Sequence, residues 1–191
     1  MKVLPRKFYL RNPKQVAIDL LGKLLVRKIG KHLLIGKIVE TEAYFGKEDP
    51  ASRAYSGRPK FCVKLMYGEV GRALIYMVHA NWLFNIVAHE TGKGGAVLIR
   101  AVEPIKGIEI MKRFRKVEKI TDLTNGPGKL CKAFNITKEF NGIDLTKKGD
   151  IFVASGKKEK FTVESSFRIG VSKDLPEKLR FYIKNNIFVS K

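Results

Sequence analysis

The chain has 191 residues, enough for one globular unit with a core of its own, and it carries 38 Lys and Arg against 18 Asp and Glu, a formal net charge of +20. Lysine rises here without matching glutamate, so the imbalance points to a polyanionic partner, nucleic acid above all, rather than to balanced surface charge. Cys62 and Cys131 share no metal-ligand spacing with His32, His79 or His89, no apolar run approaches a membrane span, and the first residues lack a signal core; these features argue against a zinc site, a membrane protein and secretion, and a reduced, intracellular chain is expected.

Asn12 before Pro13 reads as a helix cap with a first-turn proline, and Val16, Ala17, Leu20 and Leu21 recur at helical spacing before Gly22. Leu24 to Ile29 and Leu33 to Tyr44, separated by Gly30-Lys31-His32, form a predicted hairpin. Its second arm ends in Ile38-Val39-Glu40-Thr41-Glu42-Ala43-Tyr44, an acidic and aromatic island in a basic chain. As a strand, this run puts Ile38, Glu40, Glu42 and Tyr44 on one face and Val39, Thr41 and Ala43 on the other. A carboxylate beside an aromatic ring suits a pocket where a flat group stacks while an acid or base works on an attached bond; the segment alone fits better a half-exposed strand whose glutamates face solvent or pair with lysines. Phe45 to Gly71 shows no sustained period and is expected to be irregular. Ala73 to His79 and Ala96 to Val102 are β-type, the second apolar on both faces and hence central, while Trp82 to Glu90 fits strand or helix. Pro104 is expected to open a helix with Ile108, Met111 and Phe114 inward and a basic outer face. Asn125-Gly126-Pro127-Gly128 is a turn into a helix over Lys129 to Phe134, and two or three strands follow Asp150. No repeat or linker divides the chain, so residues 1–191 are expected to form a single domain.

Arg100 stands in an otherwise apolar strand, and a guanidinium there needs an acid, either Glu40 or Glu42. A Glu and Arg held together can orient a water between them, or be a purely structural ion pair. Gly126, Gly128 and Lys129 near a helix start can accept phosphate or form an ordinary turn; the spacing is not that of a nucleotide-binding Walker loop. Tyr76, Trp82 and Phe84, interleaved with His79, Asn81 and Asn85, can stack bases or fill a core. No serine or cysteine nucleophile with a histidine partner emerges.

Ile38 to Tyr44, Glu48-Asp49-Pro50-Ala51-Ser52, Ala96 to Pro104, Asn125-Gly126-Pro127-Gly128-Lys129-Leu130-Cys131, Arg168-Ile169-Gly170-Val171 and Leu179-Arg180-Phe181-Tyr182, in that order, together resemble the alkyladenine (3-methyladenine, methylpurine) DNA glycosylase family. The resemblance runs from about Leu4 to Ser190. It implies a single-domain mixed α/β fold with a curved, mainly antiparallel sheet flanked by helices. It also implies a monofunctional enzyme, acting as a monomer without metal or other cofactor. Such an enzyme flips alkylated, deaminated or etheno-adducted purines from double-stranded DNA and hydrolyses the N-glycosidic bond, leaving an abasic site. Glu42 would be the general base, Arg100 its helper in holding the attacking water, and the carbonyl of Ile169 a third water contact. Tyr44 and Tyr76 would sandwich the flipped base, and Asn85 would discourage guanine's exocyclic amine. The alternative is a basic nucleic-acid-binding domain of the same fold with weakened catalysis. This sequence departs from the family pattern in three places. Arg53 replaces the usual histidine and is expected to disfavour cationic purines. The wedge region is altered and shortened, with His79 the aligned wedge and Trp82 its rival. Phe61-Cys62-Val63-Lys64 lacks the usual arginine-asparagine pair.

Overall fold

In the computed structural model, which describes residues 1–190, the cap at Asn12 forms as its sequence suggests: the Asn12 Oδ1 accepts the Lys14 N–H at 2.9 Å. Helix α1 (Pro13–Leu20) then buries Val16, Ala17 and Leu20. The predicted hairpin is present as β1 (Leu24–Ile29) and β2 (His32–Phe45). Strands β3 (Ala73–Val78), β4 (Asn81–Val87), β5 (Gly95–Lys106), β6 (Ile151–Ala154), β7 (Val163–Ser166) and β8 (Arg180–Ile183) complete one sheet in which every pairing is antiparallel. Its main path is β3-β4-β5-β2-β1-β6, with β8 on β2 and β7 on β8. The mixed α/β architecture with an antiparallel sheet at its centre is the one the resemblance implied.

Strand β2 organises the molecule. One edge pairs with β5 along most of its length; the other is shared, first by β1 and then, at Glu40–Glu42, by β8. The β2–β5 ladder carries an irregularity at Val39 and a compensating one at Arg100: Ile38 faces Val102, Glu40 faces Ala101 and Thr41 faces Ile99. One extra residue on each strand bends the sheet there and re-aims the side chains beside it. On the far face of β2, Thr41 donates through Oγ1 to the Ala17 carbonyl at 2.9 Å, which docks α1. The alternation of the acidic run is thus realised, with Thr41 turned to the helix and Glu40, Glu42 and Tyr44 to the opposite side.

Two local expectations are revised and one open choice is resolved. The stretch after Phe45 contains helix α2 (Lys60–Met66), which buries Cys62 and Met66; two buried positions four apart are too few to register as a period. The segment from Trp82 is strand β4, entered through a two-residue turn in which His79 and Ala80 have φ of 45° and 59°. Positive φ at both central positions is the hairpin turn whose twist matches the flanking strands, and it fixes the pairing of Val78 with Asn81. Pro104 does not open a helix: β5 continues through it to Lys106. The proline sits opposite Gly36 at another register shift, where its missing N–H is tolerated, and α3 (Ile108–Arg115) starts only after Gly107. On α3, Met111 is buried and Lys112 pairs with Glu109 and Glu118, so part of the basic face is neutralised. Helix α4 (Pro127–Ala133) begins at the predicted turn and buries Leu130, Cys131 and Ala133.

Candidate active site

The two irregularities let Arg100 fall between two carboxylates. Its Nε donates to Glu40 Oε1 at 2.9 Å, and its Nη1 lies 3.2 Å from Glu42 Oε1. Both glutamates are fully buried, so the choice between them as partner for Arg100 resolves to both. Glu42 takes two further donors, the Ile169 N–H at Oε1 and the Tyr44 hydroxyl at Oε2, each at 2.8 Å. Ile169, whose carbonyl is expected to contact the attacking water, thus meets the acid through its N–H. Burial raises the Glu42 pKa, and the nearby Glu40 adds to the rise; Arg100 and the two hydrogen bonds offset only part of it. Burial alone would lower the Arg100 pKa, but the two carboxylates outweigh it and hold the guanidinium firmly charged.

Above this cluster opens a cleft of about 770 Å³ lined by Tyr44, Tyr76, Leu83, Leu98, Arg53 and Arg100, among others. Tyr44 and Tyr76, placed together by the sequence reading, do share it. The register adds Asn85 to the same side of the sheet: Asn85 faces Leu98, and Leu98 faces Glu42, a straight row across β4, β5 and β2. Asn85 is itself buried beneath the cleft, its Nδ2 donating to the Leu74 carbonyl at 3.0 Å. Arg53 stands in the cleft wall with its guanidinium 5.0 Å from the centre of the Tyr76 ring. Among the described residues no carboxylate lies within salt-bridge distance of it, because the nearest candidate in sequence, Asp49, is taken by Arg168.

That Arg168–Asp49 pair is a feature the sequence reading did not foresee. Arg168 grips Asp49 with both terminal nitrogens at 2.6 and 2.8 Å, donates to the Ala43 carbonyl at 2.9 Å, and binds Asp174 through Nε at 2.9 Å. The guanidinium also covers one face of Tyr44, 4.5 Å from the ring centre. Asp49 in turn accepts the Phe45 and Ala51 N–H groups, so this one arginine fixes the loop after β2, the loop after β7 and the ring of Tyr44. Both residues belong to motifs visible in the sequence, but 119 positions separate them and no spacing rule links them.

The rim is built from three loops. The β3–β4 turn carries exposed His79 and Asn81, the loop after β7 carries Ile169–Ser172, and Gly126–Lys129 at the start of α4 closes the third side. The last is held beside Arg100 by the Thr124 hydroxyl on the Val102 carbonyl and a bridge of Asn125 to Ala101. Lys129 is solvated, its Nζ 2.8 Å from Asn125 Oδ1. Trp82 lies outside this lining: strand alternation sends it with Met77 to the opposite face of the hairpin, into an adjoining hollow with Phe61 and Pro59 that shares Arg53 and Tyr76 with the cleft. Of the two, only His79 lines the cleft. Among the described residues no group of three or more His, Cys, Asp or Glu side chains is placed to hold a metal ion, Cys62 and Cys131 are buried free thiols, and no helix is long and apolar enough to cross a membrane.

A desolvated carboxylate beside a fixed cation, directly beneath the residues that line a cleft with two phenol rings in its wall, can take a proton from a water and face a developing positive charge. Comparison with known proteins points the same way. The profile of the methylpurine-DNA glycosylase (MPG) family matches residues 7–187. A Carboxydothermus hydrogenoformans protein named "Putative 3-methyladenine DNA glycosylase" is 44% identical, covering 99% of both chains. Proteins of the same name from Clostridium tetani (42% identical, 98% of both chains) and Aeropyrum pernix (41% identical, 100% of this chain and 94% of that one) are similar over comparable lengths.

Proposed function

This chain belongs to the methylpurine-DNA glycosylase family and is a DNA-repair glycosylase of the 3-methyladenine type, and on that premise we propose how it works and on what. Residues 1–191 act as one glycosylase domain and as a monomer on double-stranded DNA. A damaged purine leaves the stack and enters the cleft between Tyr44 and Tyr76, whose rings replace the stacking lost in the duplex. His79, at the tip of the β3–β4 turn, fills the gap left behind. Gly126, Gly128 and Lys129 receive backbone phosphate, and the +20 charge supplies the general attraction.

Glu42 is the general base. A water held by Glu42, Arg100 and the Ile169 carbonyl attacks the anomeric carbon as the bond to the purine nitrogen breaks. The bonding pair departs with the base, and the water proton passes to Glu42. The carboxylate also faces the positive charge that builds on the sugar. Asn85, beneath the cleft floor, discourages the exocyclic amine of normal guanine. The observation that carries this reading is the buried Glu42–Arg100 contact under a cleft walled by Tyr44 and Tyr76.

Arg53 sets the lesion range in this reading. An unpaired guanidinium in the wall repels purines that carry a positive charge, so neutral lesions such as hypoxanthine and ethenoadenine are favoured over 7-methylguanine and 3-methyladenine. The test is single-turnover base release from labelled duplexes carrying one lesion each, followed by alkali cleavage, with wild type and Glu42→Gln compared. Wild-type release that the variant loses is expected. Tight binding without release by either protein would instead indicate a binding domain, and equal rates on cationic and neutral lesions would refute the role given to Arg53.

A further inference from the structure

Glu40 and Glu42 are equally buried and neither lines the cleft, but Glu42 bonds three residues that do, Tyr44, Arg100 and Ile169, whereas Glu40 touches the lining only through Arg100 and the reaction just described makes no use of it. Its bonding is saturated. Oε1 accepts from Arg100 Nε at 2.9 Å and from Arg180 Nε and Ser190 Oγ at 2.7 Å each, while Oε2 accepts the Ser190 N–H at 2.7 Å. Ser190 Oγ also accepts Arg100 Nη2 at 3.2 Å, so two edges of the guanidinium are fixed from behind and only Nη1 reaches Glu42.

Without Glu40, a carboxylate and a guanidinium alone in a buried site would form a two-pronged pair. Such a pair would hold both Glu42 oxygens in charged bonds and weaken the acid as a base. With Glu40 present, Arg100 gives Glu42 one nitrogen, and the other Glu42 oxygen is bonded only by the neutral Tyr44 hydroxyl. Resting on the reading of Glu42 as general base, we propose that Glu40, clamped by Arg180 and Ser190, is a positioning residue that divides the charge of Arg100 and so sets the basicity of Glu42.

The charged and titratable groups facing Glu42 are Glu40 and Tyr44 from β2, Arg100 from β5, Arg180 opposite it on β8, and Tyr76 from β3. Removing the negative charge of Glu40 leaves Arg100 wholly to Glu42. Removing the positive charge of Arg180 does the reverse. The test is the pH dependence of single-turnover release, with binding to an abasic-site duplex measured alongside, for wild type, Glu40→Gln, Arg180→Gln and Ser190→Ala. Glu40→Gln is expected to move the acid limb to lower pH and reduce the plateau rate at least tenfold, with DNA affinity unchanged within about twofold. Arg180→Gln is expected to move the limb to higher pH. Ser190→Ala keeps both charges and the backbone bond, so the limb stays in place and the rate falls only a few-fold. Glu40→Gln that folds with an unmoved limb overturns the proposal; if it does not fold, an unmoved limb in Arg180→Gln does so. Full activity in Glu42→Gln would refute the underlying reading instead, a separate failure.

Discussion

Replacing Arg168 by Met isolates one buried carboxylate. The side chains of Arg168 and Asp49 are both wholly inaccessible to solvent, whereas Asp174 retains some exposure and can regain water when its partner is lost. Asp49 cannot, and the Ala43 carbonyl also loses its donor. Removing one member of a buried, hydrogen-bonded ion pair costs about 3–5 kcal/mol, because the surviving charge stays desolvated. At roughly 2–4 °C per kcal/mol for a chain of this size, the melting temperature should fall by about 6–20 °C. Urea unfolding at fixed pH measures the cost, and a double-mutant cycle with Asp49→Asn apportions it. The Asn variant keeps an acceptor for one of the Phe45 and Ala51 N–H groups while removing the stranded charge. The double variant should therefore recover about half of the loss. A cost below about 1 kcal/mol for Arg168→Met, or a double variant no more stable than the single one, would show that this pair does not hold the two loops together. Because the same guanidinium lies over Tyr44, the folded double variant should also release base more slowly than wild type at equal DNA affinity.

Glu42 accepts a proton only when ionised, and burial raises its pKa, so excision should climb with pH through a limb above the ordinary glutamate value of 4.5, read from single-turnover rates. The same shift means that protonation favours the folded state and that this stability is lost as pH rises; Glu42→Gln should therefore melt higher than wild type at pH 8, the gap closing toward acid. His79→Ala should weaken base extrusion, followed by 2-aminopurine fluorescence next to the lesion, about tenfold with stability unchanged, whereas Trp82→Ala, packed against the core, should cost about 3 kcal/mol in urea. Gly128→Ala would put a methyl 2.8 Å from Asn81 Cβ, so it should displace the β3–β4 tip and slow excision by more than it lowers the melting temperature.

What the sequence made legible was local. Strand alternation put Glu40, Glu42 and Tyr44 on one side, the Asn12-Pro13 cap began a helix, and an arginine in an apolar strand announced a buried acid. Each depends on residues a few positions apart. The seat of Arg100 between two glutamates was not legible, because it needs one extra residue in each of two strands, and alternation assumes none. Nor was Asp49 with Arg168, or Glu40 with Arg180 and Ser190, since those partners meet only through the sheet order. The position of Trp82 turned on parity: once the turn closes on His79 and Ala80, the next side chains are assigned to faces, and an aromatic one residue out of phase falls outside the cleft lining.

The division of one edge of β2 between β1 and β8 has a consequence for time as well as for shape. The β1–β2 hairpin joins neighbours in the chain and can close early, but Glu40 waits for residues 180 and 190, its partners across 140 and 150 positions. Contacts of such sequence separation form late, after the entropy of a long loop has been surrendered. During synthesis Arg100 enters the chain before its second anchor, the Glu40–Arg180–Ser190 cluster, can be complete. Basic charge is spread along the whole chain, whereas the proposed seat of Arg100 is complete only when β8 and Ser190 have docked beside β2.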